Sequence, residues 1–193
     1  RAQLQMHTGT SQFKRPSLGV WSLYGLGSES DNLPGYIWLD AGKGSNQILG
    51  NIFLPPENRG TNISVARGAA GSSGKGKGRR RGSESSAGIA NIENPNLTRD
   101  RQRMQLDFIQ SLNREKIARE THEPGVEGAI ESFELAFRMQ DAVPEVIDLN
   151  RESEATQAMY GIGESATDEF GRKCLMARRF AEAGVRFIEL GDS

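Results

Sequence analysis

The sequence contains few of the residues that build disulfide frameworks and zinc cages. It has a single cysteine, Cys174, and two histidines, His7 and His122. A single cysteine excludes an internal disulfide, and so few soft ligands exclude a structural zinc site of the four-ligand type. We expect Cys174, on the apolar side of a predicted helix, to pack in the interior rather than act as a nucleophile.

Long apolar runs and a strong net charge are also missing. No run is long enough for a membrane span, and none has the pattern of a secretory signal. The formal net charge is -1 at pH 7, which argues against a globally basic nucleic-acid-binding protein. With 36% hydrophobic residues in a chain of 193, one core of ordinary size is possible, so a single domain is expected.

The two ends of the chain indicate that this domain is partial. The first residue is Arg1 rather than Met, and the last, Ser193, closely follows an apolar hexamer at residues 185–190. Both ends look like cuts within a longer protein. We therefore expect residues 1–193 to form a single partial domain.

Glycine, serine, proline and asparagine are frequent in the first third, which indicates turns around brief elements. One apolar stretch follows Pro16 and Ser17 and predicts a short helix that Gly25 and Gly27 end. A second stretch, Tyr36–Leu39, has the length and the aromatic content of a buried strand.

Residues 66–91 form a low-complexity segment with almost no large apolar side chain. Because burial of such a segment cannot offset the entropy lost on ordering, it predicts a flexible Gly/Arg-rich loop. Its basic residues are a candidate polyanion site, comprising Lys75, Lys77, Arg79, Arg80 and Arg81. No aromatic residue is interleaved with them for base stacking, so no specific nucleic-acid partner is expected. The plainer interpretation is a solvated surface loop.

The second half of the chain has helical periodicity and predicts four helices. They start after Thr98, at Pro124, after Ser153 and near residue 167. The second helix, which Pro144 is predicted to end, carries an apolar stripe that must be buried. The members of that stripe are Val126, Ala129, Ile130, Phe133, Ala136 and Phe137.

The last predicted helix leads through Gly184 directly into the apolar hexamer. A helix, a glycine and a strand in this order predict an α/β sheet, in which a ligand site lies beyond the carboxyl ends of the strands. The predicted class is therefore α/β, with a helix-rich second half and a terminal core strand.

Several ordered blocks of sequence resemble a bacterial domain-of-unknown-function family, family 1501, often labelled sulfatase and placed in the alkaline phosphatase superfamily. The blocks are MHTGT, KRPSLGVWSLYGLGSESDNLPGYIWL, FLPPENRGTNI, LNREKI, ESFELAFRMQDAVPEVIDL and FGRKCLMARRFAEAGVRFIEL. They cover most of the chain outside residues 66–91, so the resemblance rests on long ordered agreement rather than on one motif.

The resemblance implies an alkaline-phosphatase-like sandwich and a hydrolase of sulfate or phosphate esters. In that superfamily a nucleophile and the first metal ligands precede the MHTGT-like block, and the other ligands follow the VRFIEL-like strand. The complete protein would then hold a divalent metal, zinc or calcium, that activates the nucleophile. The missing N-terminal and C-terminal parts are the implied partners, and the chain alone is expected to be inactive.

The resemblance implies two substrate-binding candidates, and the start of the short helix suggests two more. His7 and Thr8 lie where the family approaches its active site, and Arg15 and Ser17 flank the start of the short helix, where backbone donors favour anions. The alternatives are a turn for the first pair and a solvated N-cap loop for the second. At the level of function, the alternatives are a noncatalytic polyanion-binding protein with a degenerate hydrolase fold and a scaffold piece.

Overall fold

A computed structural model describes residues 2–42, 45–65, 96–119 and 124–191. These residues form a mixed α/β structure with seven α-helices and three strands. The helices are α1 (Ala2–Thr8), α2 (Leu18–Leu26), α3 (Asn46–Leu49), α4 (Arg99–Arg119), α5 (Pro124–Ile147), α6 (Glu154–Met159) and α7 (Asp168–Glu182). The strands are β1 (Tyr36–Leu39), β2 (Thr61–Ile63) and β3 (Phe187–Leu190), and two short 3-10 helices span Pro56–Asn58 and Leu149–Arg151.

The three strands make one parallel sheet in the order β2-β1-β3. The central strand, β1, is buried along its whole length, as a parallel strand covered on both faces should be. In the β1–β3 ladder Tyr36 pairs with Phe187 and Trp38 pairs with Glu189. The predicted strands at residues 36–39 and 185–190 are therefore present, the second two residues shorter at its start.

Each face of the sheet has its own core. One face packs against α5 and α7, and its buried residues are Leu33, Ile37, Leu39, Ile63, Met139, Val143, Met176, Phe180 and Val185. The other face packs against α2 and α3, with Leu4 of α1 alongside, and its buried residues are Val20, Leu23, Tyr36, Trp38, Ile48, Leu49 and Leu54. The split follows from the two-residue period of a strand, which sends neighbouring side chains to opposite faces.

The connection from α7 to β3 agrees with the sequence prediction. Gly184 adopts a positive φ of 90°, which a glycine does without steric cost at the end of a helix. Val185 N–H then donates to the carbonyl oxygen of Phe180 at 3.0 Å. The helix therefore turns into the strand within very few residues.

Pro144 does not end α5, which continues to Ile147; the sequence prediction was wrong here. The proline lies in the last turn, where it forfeits one helical hydrogen bond. Arg179 of α7 donates to the carbonyl oxygens of Val146 at 2.7 Å and Glu145 at 3.0 Å. Those contacts satisfy the end of the helix, and the sequence around Pro144 gives no sign of them.

The predicted burial of the α5 stripe is only partly correct. Of its described members, Phe133 and Ala136 are exposed, and Ala129, Ile130 and Phe137 are half-buried. In the described part of α5 the buried apolar side chains are instead Met139 and Val143, outside the stripe. α4 contacts α5 through polar groups: Arg103 donates to Glu134 at 2.8 Å, and the guanidinium group lies 5.5 Å from the centre of the Phe137 ring. Four apolar side chains of α4 are exposed instead, namely Met104, Phe108, Ile109 and Leu112.

Three regular elements were missed in the first third, namely α1, α3 and β2, together with the 3-10 helix at Pro56–Asn58. Seven residues of α1 are too few to form a stable helix alone, and three residues of β2 give no periodic pattern. The predicted loop at residues 66–91 lies outside the described residues. Among the described helices, none has both the length and the apolar character that a bilayer crossing requires.

Candidate functional site

A histidine and a carboxylate meet on the face of the sheet that α1 and α2 cover. His7, in the last turn of α1, places Nδ1 3.0 Å from Oε1 of Glu189 in β3. The two side chains are 15% and 13% exposed. The His7 ring also lies 5.6 Å from the Trp38 ring, measured between centroids. The pair therefore lies over the carboxyl half of β1 and β3, close to solvent but mostly shielded from it.

Buried polar atoms that form no well-aligned hydrogen bond surround this pair, although Tyr36 lies close to both Ser17 and Glu189. Among the described residues they are Ser17 Oγ, Tyr36 OH, Trp38 Nε1 and both carboxylate oxygens of Glu189. Although His7 Nδ1 is at ion-pair distance, neither carboxylate oxygen has a partner in hydrogen-bond geometry. Since buried polar groups normally have partners, the cluster marks a locally costly site, and such sites are enriched in functional groups.

The register of the sheet explains why these side chains meet. Tyr36 and Trp38 point to the same face of β1, because they are two residues apart. Glu189 is opposite Trp38 in the β1–β3 ladder. Ser17 precedes α2, which packs on this face. The carboxylate of Glu189 thus enters the same layer of side chains as Tyr36 and Trp38.

Burial changes the proton affinity of the site. It raises the pKa of Glu189 above the ordinary value of 4.5, while the neighbouring His7 lowers that pKa in part. Burial also raises the pKa of Tyr36, and the charge of Glu189 adds to the effect because a phenolate beside a carboxylate is repelled. Tyr36 therefore stays protonated, and Glu189 holds its proton to higher pH than a glutamate in water.

This arrangement can support proton transfer or anion binding at the imidazole. A carboxylate beside one ring nitrogen orients a histidine and stabilises its charged form. The contact with Glu189 is made through Nδ1, so Nε2 is the ring atom that a ligand could meet. A charged imidazole at this position would attract an anion, and a neutral one would accept a proton.

The four sequence-predicted residues of this region have different environments. Thr8 Oγ1 donates within its own segment, to the carbonyl oxygens of Leu4 at 2.8 Å and Thr10 at 2.7 Å. Arg15 is exposed, and Ser17 is fully buried. Only His7 joins the partly exposed polar pair, and substrate contact by any of the four stays a prediction. The polyanion candidates at residues 75–81 lie outside the described residues.

Glu189, Tyr36 and Trp38 were not predicted as site residues. Their segments have the pattern of buried strands, and a buried strand is ordinarily read as core. The one available signal was a glutamate inside the apolar hexamer at residues 185–190. That signal does not identify a partner, because only the fold brings a residue of α1 next to β3.

The described residues do not provide a metal centre. Within residues 2–42, 45–65, 96–119 and 124–191, no group of three or more His, Cys, Asp or Glu side chains is placed to hold an ion. His7 and Glu189 are two such groups, and a stable zinc or calcium site needs more ligands. The His7–Glu189 pair alone therefore provides too few ligands for such a site.

Comparison with known proteins gives one result at the level of the family. No curated protein and no solved structure matches this chain. The model of a family described as "Protein of unknown function (DUF1501)" matches residues 1–193, the whole of the sequence. The resemblance of the sequence blocks is thereby confirmed for the family, though not for the sulfatase label or the superfamily. The chain belongs to the DUF1501 family.

Proposed function

We propose that this protein is part of a hydrolase of sulfate or phosphate esters with an alkaline-phosphatase-like fold, and that His7 acts on the substrate in its active site. The observation that carries the proposal is the His7–Glu189 pair, with Nδ1 and Oε1 3.0 Å apart. An imidazole that a carboxylate orients can take two roles in such a reaction. It can contact the anionic group, and it can donate a proton to the departing oxygen.

The position of the pair supports the same function. Trp38 and Glu189 are the next-to-last residues of β1 and β3. Ligand sites of parallel α/β sheets lie at the carboxyl ends of the strands. A histidine at this edge is therefore closer to the expected substrate position than a histidine elsewhere on the sheet would be.

The metal and the nucleophile are the parts of the proposal that the resemblance supplies. A zinc or calcium ion would neutralise the transferred group and activate the nucleophile. We place its ligands in polypeptide before the MHTGT block and after β3. Glu189 and His7 would then act beside that centre rather than within it.

The test is to purify the product of the complete gene and measure its bound zinc and calcium. Hydrolysis of p-nitrophenyl phosphate and p-nitrophenyl sulfate is then followed before and after metal removal. The proposal requires hydrolysis of one of the two esters. No hydrolysis of either ester by metal-loaded protein would overturn it.

The role of His7 needs its own variant. His7→Gln should lower kcat/KM by a factor of about 100 or more, which is the range for loss of one acid–base group. His122→Gln is the matched control, since the chain has two histidines, and it should leave kcat/KM unchanged. Equal activity of the two variants would remove His7 from the mechanism while leaving hydrolysis as such untouched.

The second proposed function is noncatalytic binding of a polyanion, and a sequence observation favours it. Five basic residues lie within residues 75–81, and no acidic residue occurs between Val65 and Glu84. Binding to heparin should weaken steeply with salt and should disappear when all five are changed to glutamine. Salt-dependent retention that survives those changes would exclude this function.

A further inference from the structure

A buried ammonium group lies at the carboxyl edge of the sheet. Lys173 of α7 is 2% exposed. Its Nζ donates to the carbonyl oxygen of Gly191 at 3.0 Å, and it lies 3.4 Å from a carboxylate oxygen of Asp40 and 3.4 Å from one of Glu169. Asp40 directly follows β1, and Gly191 directly follows β3. One ammonium group therefore joins the ends of two strands.

Asp40 extends this connection to the third strand. Its Oδ1 accepts the Val65 N–H at 2.8 Å, and its own N–H donates to the carbonyl oxygen of Ile63, the last residue of β2, at 2.9 Å. On the other side, Gly191 N–H donates to the carbonyl oxygen of Leu39 at 2.7 Å. The exits of β1, β2 and β3 thus meet at a single lysine–aspartate pair.

The contacts of Lys173 at the strand ends lower stability more than a purely structural contact needs to. A buried ammonium group loses hydration that attraction to its partners repays only in part, and an apolar residue often holds such a position as well or better. Asp40 has a φ of 52°, in the left-handed region that non-glycine residues seldom adopt. A Cβ atom on Gly191 would lie 2.0 Å from the Asp40 carbonyl oxygen. Costs of this kind concentrate where a protein fixes a functional geometry.

We propose that Lys173 is a positioning residue for the candidate site. By holding Gly191 and Asp40, it fixes the end of β3 against β1 and thereby sets Glu189, two residues before Gly191, against His7. Lys173 is too deeply buried to contact a substrate, so it acts through the strand. The use of the site rests on the proposed function, but the geometric effect of Lys173 does not depend on any reaction.

The test compares Lys173→Met with Arg172→Met by NMR. Methionine keeps the length of the side chain without its charge. Arg172 is the neighbouring residue of the same helix, and its guanidinium pairs with Asp168 one turn away. The imidazole nitrogen signals of His7 and the carboxyl carbon signal of Glu189 report on the site, and His122 is an internal reference.

In Lys173→Met we expect the His7 and Glu189 signals to move while those of His122 stay. The titration of Glu189 should move toward the ordinary pKa of a glutamate, because water reaches a loosened edge. Amide exchange at Val65 and Gly191 should accelerate on the order of tenfold or more. Arg172→Met should leave all of these values unchanged.

A milder variant covers the case in which Lys173→Met does not fold. Asp40→Asn keeps an oxygen for Val65 N–H but removes the charge facing Lys173, and it should move the same signals by a smaller amount. A folded variant whose His7 and Glu189 signals match the unchanged protein would reduce Lys173 to a structural contact, even if its stability fell. If the wild-type protein hydrolyses neither ester but the variants show these NMR effects, the proposed function is refuted. The positioning role of Lys173 then still holds.

Discussion

The two faces of the sheet differ in the number of buried polar atoms without well-aligned hydrogen bonds that they contain. On the α5 and α7 face, β1 contributes Ile37 and Leu39 to an apolar core with Met176 and Phe180. On the α1 and α2 face, the described residues include five buried side-chain polar atoms that form no well-aligned hydrogen bond, two of them the oxygens of Glu189. Both faces bury an apolar core, but the polar atoms buried on the α1 and α2 face lower the stability that its core provides.

The difference arises within single strands. β3 sends Ile188 to the apolar face and Glu189 to the polar one, and β1 does the same with Ile37 and Trp38. Stability and the candidate site are therefore coupled through the same backbone. The effect of a substitution on one face can therefore be measured by comparison with a substitution on the other face.

The largest effect is expected on the apolar face. Phe180→Ala should lower the free energy of unfolding by about 3–5 kcal/mol, because the side chain is fully buried and leaves a cavity. Urea unfolding followed by circular dichroism measures the loss. Phe133→Ala, at a residue that is 54% exposed, should cost less than about 1 kcal/mol. Similar losses in the two variants would contradict the assigned core.

Glu189→Gln tests the polar face through pH. The pKa of Glu189 is raised in the folded protein, so the folded state binds more protons than the unfolded state once the pH exceeds about 4.5. The free energy of unfolding should then fall as pH rises through the folded pKa. In Glu189→Gln this fall in stability should disappear. In Glu131→Gln, which changes an exposed glutamate, the fall should remain. A pH profile unchanged by Glu189→Gln would show that the carboxylate is not destabilised.

Tyr36→Phe should change the free energy of unfolding less than Phe180→Ala does, and in the opposite direction. The Tyr36 hydroxyl is buried and forms no well-aligned hydrogen bond, although Ser17 and Glu189 lie close to it, so its removal should leave stability unchanged or raise it by about 1 kcal/mol. Tyr24→Phe, at a residue that is 54% exposed, should change stability by less than about 0.5 kcal/mol. A clear loss in Tyr36→Phe would mean that the hydroxyl stabilises the polar face.

The smallest effect is expected outside both faces, at the start of α7. Asp168 accepts from Arg172 Nε and from Gly163 N–H, each at 2.8 Å, and the Arg172 hydrogen bond is the main cause that lowers its pKa. Its stabilisation is present at neutral pH and is lost as pH falls through the lowered pKa. Asp168→Asn should therefore cost less than about 1 kcal/mol at pH 7 and nothing in strong acid, since water screens the pair. A loss independent of pH would point to packing instead.

Local sequence signals predicted much of the second half. The Ser153 hydroxyl accepts the Thr156 N–H at 3.1 Å and starts α6 as a serine cap should. Gly184 ends α7 for the reason its type suggests. Such signals depend on residues a few positions apart, so one sequence contains them in full.

Of the candidate site, only His7 and the neighbouring Ser17 could be predicted from the sequence. Glu189 lies 182 positions further along the chain than His7, and nothing local in either segment relates the two. The same holds for Arg179, which satisfies the end of α5 from another helix. These contacts depend on how separate elements dock, and docking is decided by the packing of whole faces.

The sequence by itself determined the α/β class, the buried strand at Tyr36–Leu39, the helix–glycine–strand unit at the end and the resemblance that the family match confirms. Those properties follow from periodicity, capping and ordered blocks of residues. The tertiary structure alone decided that α5 continues past Pro144, that Lys173 joins the strand ends and that Glu189 faces His7. The physical reason is that hydrogen bonds and ion pairs between distant segments form only after the sheet has fixed its register.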